Sequence, residues 1–445
     1  MHSTVLKRTF RNCAAGLVIT TGMATVGMST AHATDLTETY SLAQQYDAII
    51  KAAEYDYESA IQRLPLARSA FKPQLNAVFD SEFTDQDNDD FHSFGANRLT
   101  LSLRQSVFNR ENWAIVNQAK LGVKQAEAQL FAQQQNLILR TASTYFDVLR
   151  AQVEVQFSSS ELEAIARQKE QAERRFDVGL VPVTDVRAAQ AQHDLAVAAE
   201  IAAKNALETA LGEMQVLTGG QPESISPLAA DLPLVAPDPA NPEAWVNLSL
   251  EQNLDLVAAR LAAQTAEAGV SSVRGSRYPT IDIVGSGQTV RSKKPRNNLD
   301  AGRIGVEIRL PIYTGGQISA QVRQAKADSA SAAQQLLSQE RLTAQQARDA
   351  FRGVTGSIAR ATALQQALVS TRKSAEATDA GFRAGTRTSV EVLNALRDVF
   401  RAESDYAGAR YDYIINYLSL KAAAGTLTES DLTPINNFLV RRGTQ

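Results

Sequence analysis

Leu99-Thr100-Leu101-Ser102-Leu103 alternates large apolar residues with small polar ones, and Ile304-Gly305-Val306-Glu307-Ile308 repeats the pattern 205 residues later. Period two with one apolar face marks a half-buried strand. Each stretch follows a proline and an earlier extended run, Pro73 to Thr84 in one case and Pro279 to Val290 in the other. Each ends in a turn, Asn109-Arg110 or Thr314-Gly315-Gly316. Sixty-odd residues then run without a proline and with hardly any glycine, from about Trp113 to Phe176 and from about Gln317 to Phe382. As helices, at 1.5 Å per residue, they would span roughly 90–100 Å, beyond any ordinary globular helix.

The flanking sequence repeats in the same order. Ser41-Leu42-x-Gln44-x-x-Asp47 answers to Ser249-Leu250-x-Gln252-x-x-Asp255, and Phe71-Lys72-Pro73 to Arg277-Tyr278-Pro279. Phe176-x-x-Gly179 answers to Phe382-x-x-Gly385, with Val186 and Ala189 matching Val392 and Ala395. Near-constant spacing over so long a stretch indicates a tandem duplication. Each copy predicts a helix (about 40–70 and 249–276), two strands, one very long helix and a shorter returning helix (about 183–217 and 388–424). Val322, Ala325, Ser329, Ala332 and Leu336, then Ala347, Ala350, Val354, Ser357, Ala361, Leu364 and Leu368, recur at spacings of three and four. That is coiled-coil periodicity with a small-residue seam, which lets helices approach closely.

Composition agrees with long helices and argues against catalysis. The chain has 445 residues, 44% hydrophobic but only 6% aromatic, and 70 of its residues are alanine. Cys13 is the only cysteine, and His2, His32, His92 and His193 are scattered. No phosphate loop, HExxH or GxSxG is present, so neither a metal or cofactor site nor an enzyme's nucleophile is expected. A net charge of −3 gives no basic face for nucleic acid.

At the N-terminus Lys7, Arg8 and Arg11 precede the uncharged stretch Cys13 to Met28, and Ala31-His32-Ala33 forms an A-x-A site. These features predict a cleaved secretory signal over 1–33. The expected division of the rest is a first repeat at 34–217, a Pro- and Gly-rich linker at 218–248, a second repeat at 249–426 and a tail at 427–445. Linker and tail are expected to form an irregular belt around the helices. No segment reads as a transmembrane helix. Four strands cannot close on themselves, and an open edge in lipid strands its backbone groups. Membrane-spanning strands would therefore require several chains to share one barrel; the other reading is a small soluble sheet capping a helical bundle.

The motifs Arg175-Phe176-Asp177-Val178-Gly179-Leu180-Val181, Gly381-Phe382-Arg383-Ala384-Gly385-Thr386-Arg387-Thr388, Leu310-Pro311-Ile312-Tyr313-Thr314-Gly315-Gly316 and Ala409-Arg410-Tyr411-Asp412-Tyr413 resemble the TolC family of bacterial outer-membrane channels. The resemblance runs from about residue 36 to 432. It implies a mainly α fold with a small β part: a homotrimer with a shared twelve-stranded transmembrane barrel and a long periplasmic α-helical barrel. It further implies a passive exit duct in the outer membrane, extending into the periplasm. Its partners would be a periplasmic adaptor and an inner-membrane ABC or proton-driven transporter, in drug efflux or type I secretion. The alternative is a soluble periplasmic coiled-coil adaptor or scaffold. Outer-membrane partitioning separates the two.

The resemblance also places a gate at the far end of the helices. Arg387 replaces Val181 of the first copy, and the family's matching arginine latches the entrance to residues matching Thr184 and Asp185. Asp185, near a helix start, could equally be a helix cap. The family's latch uses a tyrosine hydroxyl where this chain has Phe382, so that bond is expected to be missing or replaced. The family's two acidic rings at the constriction fall on Glu391 and the neutral Asn394. Asp398 lies on the same helix face and would restore a second ring a turn higher, or be a solvated surface charge. Glu391 is expected to set cation selectivity without touching the latch. Asp85-Gln86-Asp87-Asn88-Asp89-Asp90 resembles the start of an EF-hand but lacks its Gly and closing Glu, so calcium is not expected there. Lys293, Lys294 and Arg296 suggest a basic loop that would pair with the acidic Asp85–Asp90 loop or with lipopolysaccharide phosphates, or would simply be solvated.

Overall fold

The computed structural model describes residues 33–84, 94–222, 224–229, 232–292 and 298–440. The signal segment up to His32, the Asp85–Asp90 run and Lys293, Lys294 and Arg296 lie outside the described residues. Copy one comprises α1 (Leu36–Tyr46), α2 (Ala48–Ser69), β1 (Gln74–Thr84), β2 (Phe94–Phe108), α3 (Arg110–Asp177) and α4 (Val183–Thr218). Copy two comprises α5 (Pro242–Gln252), α6 (Leu254–Gly275), β3 (Thr280–Ser292), β4 (Leu299–Arg309), α7 (Gln317–Arg383) and α8 (Ser389–Ala423). A short α9 (Leu432–Asn436) closes the chain.

The first helix of each copy, expected to be continuous, is two helices. Asp47 breaks α1 from α2: its backbone is extended, and its carboxylate accepts from the Ile50 N–H at 2.8 Å and Arg140 at 3.0 Å. Burial raises the Asp47 carboxyl, but the Arg140 and Ile50 hydrogen bonds outweigh it and hold it below its ordinary value. Asn253 does the same job in copy two, accepting from the Leu256 N–H at 3.0 Å. The structural equivalent of Asp47 is thus Asn253, 206 residues on, and not Asp255; the 208-residue match of the flanking motifs is two residues out of register. The copies also keep a 206-residue spacing at α2 and α6, and at the left-handed turns Gly179 and Gly385. Copy two begins at Pro242, earlier than the expected 249, because Asn241 caps α5 by accepting from Glu243.

The four strands form one antiparallel sheet in the order β1-β2-β3-β4. Leu75, Leu103, Gly285 and Ile304 lie in one cross-strand row, and Ile283 faces Val306 on the same side. The opposite side carries Asp80, Arg98, Arg104, Asp282 and Glu307. There Arg98 reaches Asp80 at 3.1 Å, and Arg104 reaches Glu307 at 3.1 Å and Asp282 at 3.9 Å. Among the described residues the outer edges of β1 and β4 have no partner strand.

Helices α3 and α7 have 68 and 67 residues, so each spans about 100 Å. In α7 the buried residues Thr343, Ala347, Val354, Ser357, Ala361, Leu368 and Ala375 follow the expected seam, with Ala350 and Leu364 half-buried between them. The apolar core sits midway along the hairpins, where Tyr145, Phe146, Leu149, Tyr411, Ile414 and Leu418 meet α1 and α5. The linker and tail wrap this level. Thr34 bridges Ile225, and Leu228 bridges Leu439. Tyr145 donates to the Ser226 carbonyl at 2.8 Å, and Trp245 Nε1 to that of Pro239 at 2.8 Å. The linker is polar at its turns yet anchored by these buried donors.

Candidate functional site at the hairpin tips

The two hairpins end in the same turn. Gly179 and Gly385 take φ of 74° and 79°, a left-handed conformation that favours glycine. Leu180 N–H bonds Arg175 C=O at 2.9 Å, and Thr386 N–H bonds Gly381 C=O at 2.9 Å. Beyond the turn the copies diverge. Pro182 at the start of α4 provides no side-chain cap, whereas Thr388 and Glu391 form a reciprocal capping box on α8. Asp185 lies in the first turn of α4, where its charge suits the helix start, but it makes no capping hydrogen bond; its carboxylate accepts from the adjacent Thr184 hydroxyl at 3.5 Å.

Arg387 does not meet Asp185 within the chain. It folds back across Gly381, where an added Cβ would lie 2.8 Å from the arginine stem, and its Nη1 donates to Glu391 Oε1 at 2.7 Å. The other oxygen, Oε2, accepts from the Thr388 N–H at 2.7 Å and hydroxyl at 2.9 Å. The Thr388 backbone N–H, then Arg387 and the Thr388 hydroxyl, bring the Glu391 carboxyl down to about 2. Glu391 and Arg387 thus form one unit, and the expectation that they act separately is corrected.

Phe382 finds a different partner from the family's hydroxyl. The Arg175 guanidinium stands over its ring, 5.2 Å from the centroid, and joins the end of α3 to the end of α7. Arg175 also lines a cavity of about 110 Å³ between α3, α4 and α8, together with Asp185, Asn394 and Arg397. Ile165, Ala196 and Leu393 close that region with a small apolar cluster. Arg397 bonds Glu161 of α3 at 2.8 Å, a second tie between the hairpins. Asp398 is exposed in the next depression, near Arg401 and Asp405. Sequence reasoning missed Arg175 and Arg397. The one available signal for Arg175 was asymmetry, since its equivalent in copy two is Gly381.

At the opposite end stands the sheet, apolar on one face, charged on the other and open at both edges. A sequence model of the outer membrane efflux protein family matches residues 39–220 and 245–426, one match for each copy. The chain belongs to the outer membrane efflux protein family. The chain is 34% identical to outer membrane protein TolC of Escherichia coli (strain K12), over 95% of this chain and 89% of that one. It is 28% identical to the alkaline protease secretion protein AprF of Pseudomonas aeruginosa, over 90% and 86% of the two chains. Its fold matches the solved CmeC outer membrane channel of Campylobacter jejuni with a TM-score of 0.77 at 16% identity, over 91% of this chain and 90% of that one. It is an outer-membrane channel protein of the efflux and type I secretion class, with its helical hairpins in the periplasm. The adaptor reading is not favoured. Among the described residues no helix is long and apolar enough to cross a membrane.

Proposed function

We propose that three copies of this chain close one twelve-stranded barrel and form a passive duct, without catalysis, for cargo delivered by an inner-membrane ABC or proton-driven transporter through a periplasmic adaptor. One observation carries the reading: a four-stranded sheet with a lipid-compatible face, a charged face and two unpaired edges. Unpaired edges are untenable in hydrocarbon, and three four-stranded sheets supply enough strands for a water-filled barrel. The charged Arg104–Asp282–Glu307 face then lines the lumen.

The hairpin tips are the gate in this reading. Arg387, Thr184, Asp185 and Phe382 are the latch residues, and Glu391, Asn394 and Asp398 face the constriction. Copy one leaves the Asp185 carboxylate nearly uncommitted, while Glu391 already holds Arg387. An Arg387 bond to a neighbouring chain's Thr184 or Asp185 must compete with Glu391, so closing involves exchange of that ion pair. Light scattering of the detergent-solubilised protein should give a trimer, and planar bilayers should show a low-conductance pore. A monomeric mass, or release of the protein by osmotic shock, would overturn the proposal.

A further inference from the structure

The duplication relates the sheet to itself, and the relation can be checked. Residues of β1 and β3 correspond at a spacing of 206, those of β2 and β4 at 205. Applied to the β1–β2 pair Gln74↔Arg104, these spacings require Thr280↔Arg309 in β3–β4, which is the register observed. The β2–β3 contact joins copy one to copy two, with Ala96↔Ser292 through Ser106↔Asp282, a bulge at Val107 and Phe108↔Ile281. Its counterpart, copy two to copy one, is the free edge of β4 against the free edge of β1.

From this relation we infer that β4 of one copy pairs antiparallel with β1 of the next in one fixed register: Ile304↔Phe83, Gly305↔Glu82, Val306↔Ser81, Glu307↔Asp80, Ile308↔Phe79 and Arg309↔Val78. The inference rests on the trimeric reading above and specifies how its interface is built. It keeps the apolar faces aligned, setting Ile304 on Phe83 and Ile308 on Phe79, whereas a one-residue slip would turn one strand over. Charge fits as well. Arg104 reaches diagonally across β2–β3 to Asp282, at 3.9 Å. The same diagonal from Arg303 ends on Glu82 of the next copy, and Arg303 has no recorded partner among the described residues. The like charges Glu307 and Asp80 that face each other arrive with their own guanidiniums, Arg104 and Arg98.

The register also accounts for Leu310-Pro311-Ile312-Tyr313. In copy one the corresponding Gln105–Phe108 continues β2, because β3 lies beside it. In copy two the segment is not a strand within the chain, and Ile312 and Tyr313 are 93% and 87% exposed. By correspondence with Phe108↔Ile281, Tyr313 lies opposite Leu75 of the next copy, with Ile312 in the bulge. Pro311, which has no N–H to give a ladder, sits beside that bulge, where proline is tolerated.

Cysteine crosslinking tests the register in the full chain, with Cys13→Ser removing the only native thiol. Directly opposed pairs on one face of an antiparallel ladder are hydrogen-bonded and those on the other face are not, so a pair is needed from each. Outer membranes carrying Ile308→Cys with Phe79→Cys, or Glu307→Cys with Asp80→Cys, are oxidised with copper phenanthroline and run on non-reducing denaturing gels. At least one of the two pairs should give covalent dimers and trimers, and Tyr313→Cys with Leu75→Cys should do so too. Ile308→Cys combined with Ala77→Cys or Ser81→Cys should give at least five-fold less. Stronger crosslinking by a slipped pair, or none by any pair in protein that still sizes as a trimer, overturns the register and leaves the trimer standing. A monomer by light scattering overturns both.

Discussion

Glu391 serves Arg387 with one oxygen and Thr388 with the other, so substituting it disturbs the gate as well as the charge of the mouth. Glu391→Ala removes the competitor for Arg387 and is therefore expected to lower resting conductance in planar bilayers as well as weaken cation selectivity; selectivity loss at unchanged conductance would uncouple the two residues. The pH dependence follows from the lowered carboxyl. A group whose folded value, about 2, lies below its ordinary 4.5 contributes support that is complete above 4.5 and lost as pH falls through 2. The reversal-potential difference between wild type and Glu391→Gln should accordingly stay flat from pH 7 to pH 4, whereas a difference that vanishes near pH 4.5 would contradict this geometry. Phe382 gives a second test. An exposed cation–π contact contributes about 0.5–1 kcal/mol, so three acting together bias a two-state gate by roughly 1.5–3 kcal/mol, or about 10- to 150-fold. Phe382→Leu and Arg175→Gln should open the gate by that factor. Phe382→Tyr keeps the aromatic face and should change conductance less than about two-fold, in place of the tightening that a restored hydroxyl predicts. That Phe382 lacks the hydroxyl was legible in the sequence; that Arg175 stands over its ring was not, because 207 residues separate them and only the packing of the two hairpins, α3 against α8 and α8 against α7, brings them together.

At the scale of elements, the copies act as controls for each other. Asp47 and Asn253 break corresponding helices with the same cap, but Asp47 also holds Arg140. Asp47→Asn should keep the cap and lose only the charge, whereas Asp47→Ala should cost about 2 kcal/mol or more, read as a lower denaturant midpoint than that of Asp47→Asn. The Asp47 carboxyl lies below its ordinary value, so its contribution is present at neutral pH and falls away as pH drops below the ordinary carboxylate range. Strands and long helices were legible because periods of two and of three-and-four persist over many residues. The break at Asp47 was not, because one capping side chain interrupts an otherwise helical pattern without changing its composition.

At the scale of the whole molecule, the linker and tail are part of the mid-level core. Leu427, Leu432 and Leu439 are buried. Removing residues 427–445 should therefore forfeit about 1.5–3 kcal/mol for each of them and lower the denaturant midpoint of the protein, with the hairpins left protease-sensitive at that level. An unchanged midpoint would mean that the belt is only draped on the surface. Local periodicity and residue identity were enough for the duplication, the strand and helix types, the lack of an ordinary catalytic motif and, through the motifs, the family. Packing of whole elements was needed to show which side chains meet at the tips, that Leu310–Tyr313 lies exposed in one chain, and how linker and tail lock the hairpins. Those contacts join residues tens to hundreds of positions apart, and their geometry is set by how whole elements pack, which no local pattern encodes.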